Sequence, residues 1–540
     1  MSIVQAFKRQ AVPAQMAQQL QTTTIAAPTR GIIQNENFTF MQPGAAIICD
    51  NWVPTLRGVK LRGGCERWSV LPETTPIISG FEYLSGNVQK MFAANATKLY
   101  DVTFGGAPTL VKDSQGSGNY SASQLANQGG DYLIAVNDAG DFPLQYNGAA
   151  WTTFSANQIS GPVGSTVEHG KNLVAVWKYR NRWFFIEGGS MNAWYLPLNA
   201  VQGALQMIPL SGATTKGGNL LFGAAWSIDA GDGIDDKCVF CTDQGELIIF
   251  SGSDPSTATN WRQEGRYAIS PPMGKNAHLP IGGDLLLATI DGIIPISQAI
   301  TKTAEQLELA AVTRTIKPLW RQEVAAKIAS PWALKKWDEY GGVFVAVPGG
   351  APGDRHCLVA NSSSGAWSRF VGYDATCWMY TRGNLFFGTQ DGIVMQADRT
   401  GYDDGKPYVA TLVGGWEMFQ SAAAQCVWHQ ARASFTAGNS EPFQPQIAAC
   451  TDYDIRVPQP PPAGPDPGVA DVWDQGLWDT ALWDQPSLAL PVVKNTAWVS
   501  VGETGFSHAP VVQVTVAQAA RPNVELISIA ATFERLGVNV

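Results

Sequence analysis

The sequence predicts an all-β protein: a β-propeller of six or seven blades, a β-sandwich-like domain built from an N-terminal arm and the C-terminal region, and few short helices. Three observations point there. Apolar segments broken by Asn-, Asp- and Gly-bearing turns recur along the middle of the chain, with successive units starting roughly 40 to 55 residues apart, close to the four-strand period of a propeller blade. Glycine accounts for 55 of 540 residues and aromatics for 10 %, which suits a turn-rich fold with bulky cores. Charged residues make up only 15 %, against roughly 25 % in ordinary soluble domains, so much of the surface is expected to be buried or assembled. Radial closure also removes the free edges that a flat sheet of this length would carry.

The elements follow in order. Residues 1 to about 24 are expected to contain a short helix, with Pro13 in its first turn and Met16 and Leu20 on one side. From Ile25 to Val70 strand and loop alternate, so 1–72 is an arm expected to pair with the C-terminal domain. The propeller spans 73–400. Its segments are Ile78–Tyr83 with Lys90–Val102, Tyr132–Val136 with Trp151–Phe154, Leu173–Trp177 with Trp183–Ile186, then Leu220–Phe250, Asp284–Ser297, Gly342–Phe370 and Cys377–Val394. Thr242 to Ser297 is the most regular stretch. Thr242-Asp243-Gln244-Gly245 turns between two apolar runs, Ser251–Pro255 breaks the sheet, and Asp291-Gly292 turns into a last strand, Ile293–Ser297. A helical insertion is expected near 303–328. Thr303 and Gln306 form a capping-box pattern, Leu307, Ala310, Ala311 and Arg314 follow at helical spacing, and a second helix covers Trp320–Ile328 beyond Pro318. Thr303, Gln306 and Leu307 are candidate subunit-contact residues, with simple packing over a propeller edge as the alternative.

The C-terminal β domain spans 401–540. Val457–Pro467 carries prolines that keep it extended and out of any sheet interior. Trp473, Trp478 and Trp483 are each followed by Asp, a spacing of five that fits neither helix nor strand, so a loop is predicted. These indoles pack within the domain, anchor a neighbouring subunit or stack on sugar rings. Val511–Val516 and Val524–Phe533 read as closing strands of the sandwich.

Little chemistry is legible. The five histidines (169, 278, 356, 429 and 508) complete neither a zinc motif nor a nucleophile–base arrangement. Gly164–Lys171 has one residue too many for a phosphate loop and is followed by Asn172 where Ser or Thr would hold magnesium. Asp229, Asp232, Asp235 and Asp236 lack EF-hand spacing and read as a solvated loop. Cys238 and Cys241 form a C-x-x-C on a strand, where residues three apart face opposite ways, so buried structural thiols are expected. No apolar run reaches the ~20 residues of a membrane helix. The net charge of −9 argues against a phosphate-gripping surface. The single basic cluster, Arg57, Lys60, Arg62 and Arg67, reads as solvated or subunit-facing. No catalytic residue, cofactor or metal is predicted, and the chain is not expected to be an enzyme.

Four segments resemble, in order, the tail nozzle proteins (tail tubular protein B-like) of short-tailed bacteriophages. The first is Pro43-Gly44-Ala45-Ala46, Asp50-Asn51-Trp52-Val53-Pro54, Gly58-Val59 and Leu61-Arg62-Gly63-Gly64. The second comprises Gly245, Glu246, Gly252, Asp254, Pro255, Trp261, Pro272, Gly274, Gly282, Gly283, Asp284, Asp291, Gly292, Ile293, Pro295 and Ser297. The third is Phe386–Val394 with Ala397-Asp398, and the fourth is the Trp-Asp series. The resemblance implies a structural protein of the virion tail, made in the bacterial cytoplasm. It implies a homo-oligomeric ring of six below a portal and adaptor, with tail fibres or spikes attached nearby. Genomic double-stranded DNA would be retained by this tube and then pass through it without sequence-specific contacts. Such a tube should not bind phosphates strongly, so Asp and Glu are expected to outnumber Lys and Arg on its lumen. The alternative reading is a carbohydrate-binding propeller for host-surface recognition.

Overall fold

The computed structural model describes residues 20–154, 158–227, 236–328, 330–351, 354–419, 424–438, 443–464 and 492–536. Its sheets are arranged around an axis as six four-stranded blades, with a three-stranded sheet filling the remaining sector. The blades begin at Ser79–Ser85, Tyr120–Asn127, Leu173–Tyr179, Leu220–Trp226, Ala333–Trp337 and Cys377–Thr381, and each opening strand lies innermost. The three-stranded sheet is His278–Ile281, Asp284–Thr289 and Gly292–Pro295. Tight turns make this possible. At Gly245 the chain turns with φ 76°, and a Cβ there would sit 2.4 Å from the carbonyl oxygen of Ile269. The neighbouring Glu246 is buried and accepts the backbone N–H groups of Thr215 and Lys216, which ties this turn to the preceding loop.

The circle closes with borrowed material. Glu66–Val70 forms the outermost strand of the last blade, pairing Val70 with Ile393 and Glu66 with Gln396. The sequence has 1–72 as an arm pairing with the C-terminal domain; Gln21–Ala26 and Val59–Lys60 do pair with Val524–Arg535, whereas Glu66–Val70 joins the propeller. Between blades, apolar side chains alternate into separate cores. Cys238 and Cys241 illustrate the period-two rule: one faces the core with Phe184 and Phe240, the other the core with Phe222 and Leu287. Both thiols are fully buried, and burial pushes both well above their ordinary pKa.

The helical insertion follows the three-stranded sheet as α1 (Ile296–Ala299), α2 (Ala304–Ala310) and α3 (Lys317–Lys327). The predicted strand through Ser297 ends two residues early. Asp284 accepts the Ser297 backbone N–H at 3.1 Å and its hydroxyl, satisfying the first turn of α1. Pro318 lies in the first turn of α3, where a missing N–H costs nothing.

The sandwich packs two sheets around a core containing Trp428, Phe435, Val512, Leu526 and Phe533. One sheet holds Ala46–Asp50, Tyr408–Gly414, His508–Val516 and Gln446–Thr451. The other is centred on the long pair Cys426–Ala437 and Val524–Arg535. Gln21–Ala26 pairs with Val524–Arg535, so the strand of the arm begins at Gln21, ahead of the Ile25 from which strand was expected. Three successive threonines and an isoleucine explain the earlier start, because β-branched side chains favour the pleated surface. Propeller and sandwich share one continuous sheet through the bridge between Asp50 and Arg369.

Candidate functional site

The most organised polar constellation lies where the arm, the last blade and the sandwich meet. Gly63 and Gly64 let the arm cross the chain leaving the propeller. A Cβ on Gly63 would lie 2.3 Å from the Asp398 carboxylate, and one on Gly64 would lie 1.9 Å from the Tyr402 carbonyl oxygen. The crossing is sewn together by the Gly63 N–H donating to Asp398 at 2.8 Å and the Arg399 N–H donating to the Gly64 carbonyl at 2.9 Å.

Arg62, beside these glycines, is 0 % exposed. Its Nε donates to Asn51 at 2.7 Å, Nη1 to the Gly63 carbonyl and Asp403 at 2.9 Å each, and Nη2 to the Val371 carbonyl at 2.7 Å and Asp403 at 2.5 Å. All five guanidinium donors are therefore used. The Tyr408 and Tyr373 rings flank the cation at 4.1 and 4.5 Å. Burial opposes the charge, but the Asp403 carboxylate and the two tyrosines hold Arg62 protonated well above its ordinary range. The sequence expectation of a solvated or subunit-facing basic cluster is thus wrong at this position. Arg57 is exposed, and Arg67 pairs at the surface with Asp404.

Beside the joint opens a cleft of about 510 Å³, lined among others by Arg355, Asp374, Asp391, Asp404 and Lys406. Arg355 Nη1 serves two carboxylates, Asp374 at 2.8 Å and Asp391 at 2.9 Å. Burial pushes Asp374 up to about 6, with Arg355 and the Gln390 N–H only partly offsetting it.

The propeller axis holds a cavity of about 310 Å³ lined by the innermost strands. Two cations brace it. Lys275 donates to the carbonyls of Asn119 (2.6 Å) and Val174 (3.1 Å) and pairs with Asp138. Lys335 pairs with Glu82 at 2.8 Å across to the first blade. His278 stacks on Phe222 at 4.5 Å, and burial pushes it down to about 4, so the ring is neutral at pH 7. Trp177 fills space that a side chain at Gly223 would claim.

The structure places the remaining candidates as follows. Thr303 and Gln306 are exposed, and the Thr303 side chain does not cap α2, whose Gln306 N–H takes the Thr303 backbone carbonyl at 2.9 Å. The capping-box expectation is therefore corrected. Leu307 is 2 % exposed and packs in the core shared by the fourth blade and the three-stranded sheet. Trp473, Trp478 and Trp483 lie outside the described residues, as do Asp229, Asp232 and Asp235. Among the described residues there is no cluster of His, Cys, Asp and Glu able to hold a metal, and no helix long and apolar enough to cross a membrane.

No family model and no curated protein matches the chain. Among solved structures, the computationally designed Ika8 protein is 11 % identical over 62 % of this chain and 99 % of its own, with a TM-score of 0.33. Raptor from Chaetomium thermophilum is 10 % identical over 62 % of this chain and 29 % of its own, with a TM-score of 0.37. Likeness at this level carries no argument about function.

Proposed function

We propose that this chain is the tail nozzle subunit of a short-tailed bacteriophage, a structural protein whose ring retains the genome and then conducts it into the host. One observation supports the reading. Two of the segments that carry the resemblance, Asp50–Gly64 and Phe386–Asp398, are far apart in sequence yet meet in one joint through Gly63 and Asp398. Their shared residue pattern has a common physical purpose, which is to lock the sandwich onto the propeller. In a ring of such subunits the DNA path runs between copies, since the axis of each propeller offers only a cavity of about 310 Å³. The reading gives the chain no chemical step and no cofactor.

Gold-tagged antibody against the chain, imaged on intact virions by electron microscopy, tests this. Label at the distal end of a short tail is expected. Accessible virions without label would overturn the reading in favour of the sugar-binding propeller, which a glycan array with wild type and Trp478→Ala then examines.

A further inference from the structure

Among the described residues, the second sheet of the sandwich has an unpaired strand edge on each side. Val524–Arg535 and Cys426–Ala437 form its centre; Gln21–Ala26 lies on one side, next to Val59–Leu61 and Trp52–Pro54, and Val499–Gly505 lies on the other, next to Val492–Asn495. Among the described residues, no strand pairs with the outer edge of either terminal strand. A bare edge offers a row of backbone donors and acceptors to another chain, and folded proteins blunt such edges with lysine, proline or a cover. Lysine and proline are absent from both edges, and the one protecting feature is a bulge at Val501-Gly502, where the register against Trp428–Gln430 shifts. Gln21–Ala26 contains no charge and no proline, while Val499–Gly505 has the single charge of Glu503, no lysine and no proline. Gly502, with φ 70°, is its one irregular position.

Exposure sharpens the point. A strand of a finished sandwich hides alternate residues beneath the sheet. From Val499 to Thr504 only Val501 is even half-buried. Apolar side chains beside it are bare as well: Trp498 is 40 % exposed and Val493 69 %.

We infer that the two edges are the halves of one head-to-tail contact, in which Gln21–Ala26 of one copy adds to Val499–Gly505 of the next. The sheet then continues from subunit to subunit. This rests on the nozzle reading, because it supplies the interface that closes the ring. A second copy is the fitting occupant for two reasons. The edges lie at opposite ends of one sheet, which is the arrangement that heterologous, ring-forming contacts require. No like charges meet when they pair, whereas two copies of Val499–Gly505 paired about Gly502 would bring Glu503 carboxylates together.

All eight native cysteines are buried, so cysteines introduced at the exposed positions Thr22, Thr24 and Ser500 are the accessible thiols of the full chain. Within one molecule the two edges are three strand spacings apart, ~14 Å, beyond the ~7 Å limit of a disulfide. Mild oxidation of Thr24→Cys/Ser500→Cys, with Thr22→Cys/Ser500→Cys covering the other register, is expected to give a ladder of covalent oligomers that ends at the ring. An equal mixture of the single variants should stop at dimer, and each single variant alone should stay monomeric. Dimers from one single variant alone would mean two-fold pairing and overturn the proposal. In parallel, Thr24→Lys/Ser500→Lys should convert rings to monomers by light scattering while the far-UV circular dichroism of the folded chain stays that of wild type. Rings that survive the lysines, with no cross-link in either register, overturn the edge contact while leaving the nozzle ring intact. A wild-type chain that stays monomeric at every concentration overturns both.

Discussion

Two buried cations brace different parts of this molecule, and they are built differently. Arg62 at the joint is wholly buried, uses every donor it has and faces a carboxylate that is 13 % exposed. Lys275 at the propeller axis is 6 % exposed, but its partner Asp138 is 44 % exposed and remains wet. Removing a buried charge leaves its partners stranded in proportion to how dry they are. The joint is therefore a lock of fixed geometry, and the axis a brace with slack. The lock sits where the two domains meet, and the brace within one of them.

The largest expected effect breaks the lock. Arg62→Ala strands Asp403, Asn51 and the Val371 carbonyl. It should lower unfolding free energy by ~3–5 kcal/mol in urea titrations, the range for breaking one side of a buried pair. Arg62→Lys should recover little, because an ammonium cannot fork onto Asp403 while also reaching Asn51. Recovery of near wild-type stability by lysine would show that charge alone matters at the joint.

A third pair, beside the joint, sharpens the comparison. Arg355 is shared by Asp374 and Asp391, so one carboxylate is under-neutralised. Asp374 rises from 3.8 to about 6 in the fold, chiefly through burial. The folded state then binds this proton more tightly than the unfolded state does. Stability from this group is present below the unfolded pKa near 4 and is lost as pH rises through 6, a change of ~3 kcal/mol at most. Asp374→Asn should therefore gain stability relative to wild type between pH 4 and pH 7. A constant difference across that range would refute the assignment.

Lys275→Met should cost less, ~1 kcal/mol or under, since an apolar chain of similar length fills the same space and Asp138 returns to water. Thermal melting at matched pH measures it. A loss as large as that of Arg62→Ala would mean that the axis is as tightly specified as the joint.

What could be read in the sequence follows the range of the forces involved. Blade recurrence is local, since each hairpin carries its own turn residues and alternation, and the propeller and sandwich strands were visible for that reason. The burial of Arg62 was not visible, because its immediate neighbours include Arg57, Lys60 and Arg67 whereas Asp403 lies 341 residues away. The strand at Glu66–Val70 has the same character: nothing in its alternation says which domain receives it. Gly63-Gly64 was the available signal, since paired glycines after a charged residue mark a close backbone crossing.

The smallest effect concerns α2. The sequence there matches a capping box, which would make Thr303 worth about 1 kcal/mol. In the fold the Thr303 side chain makes no cap bond, and Leu307 anchors the helix by burial instead. Thr303→Ala should thus change the melting temperature by less than a degree or two, while Leu307→Ala should cost ~2–5 kcal/mol through the lost packing and the cavity left behind. Since Thr303 is exposed and Leu307 is not, the pair also separates folding from assembly: a Thr303 variant that melts normally but no longer forms rings would locate a subunit contact on the helical insertion, and normal rings would leave that role to the sandwich edges.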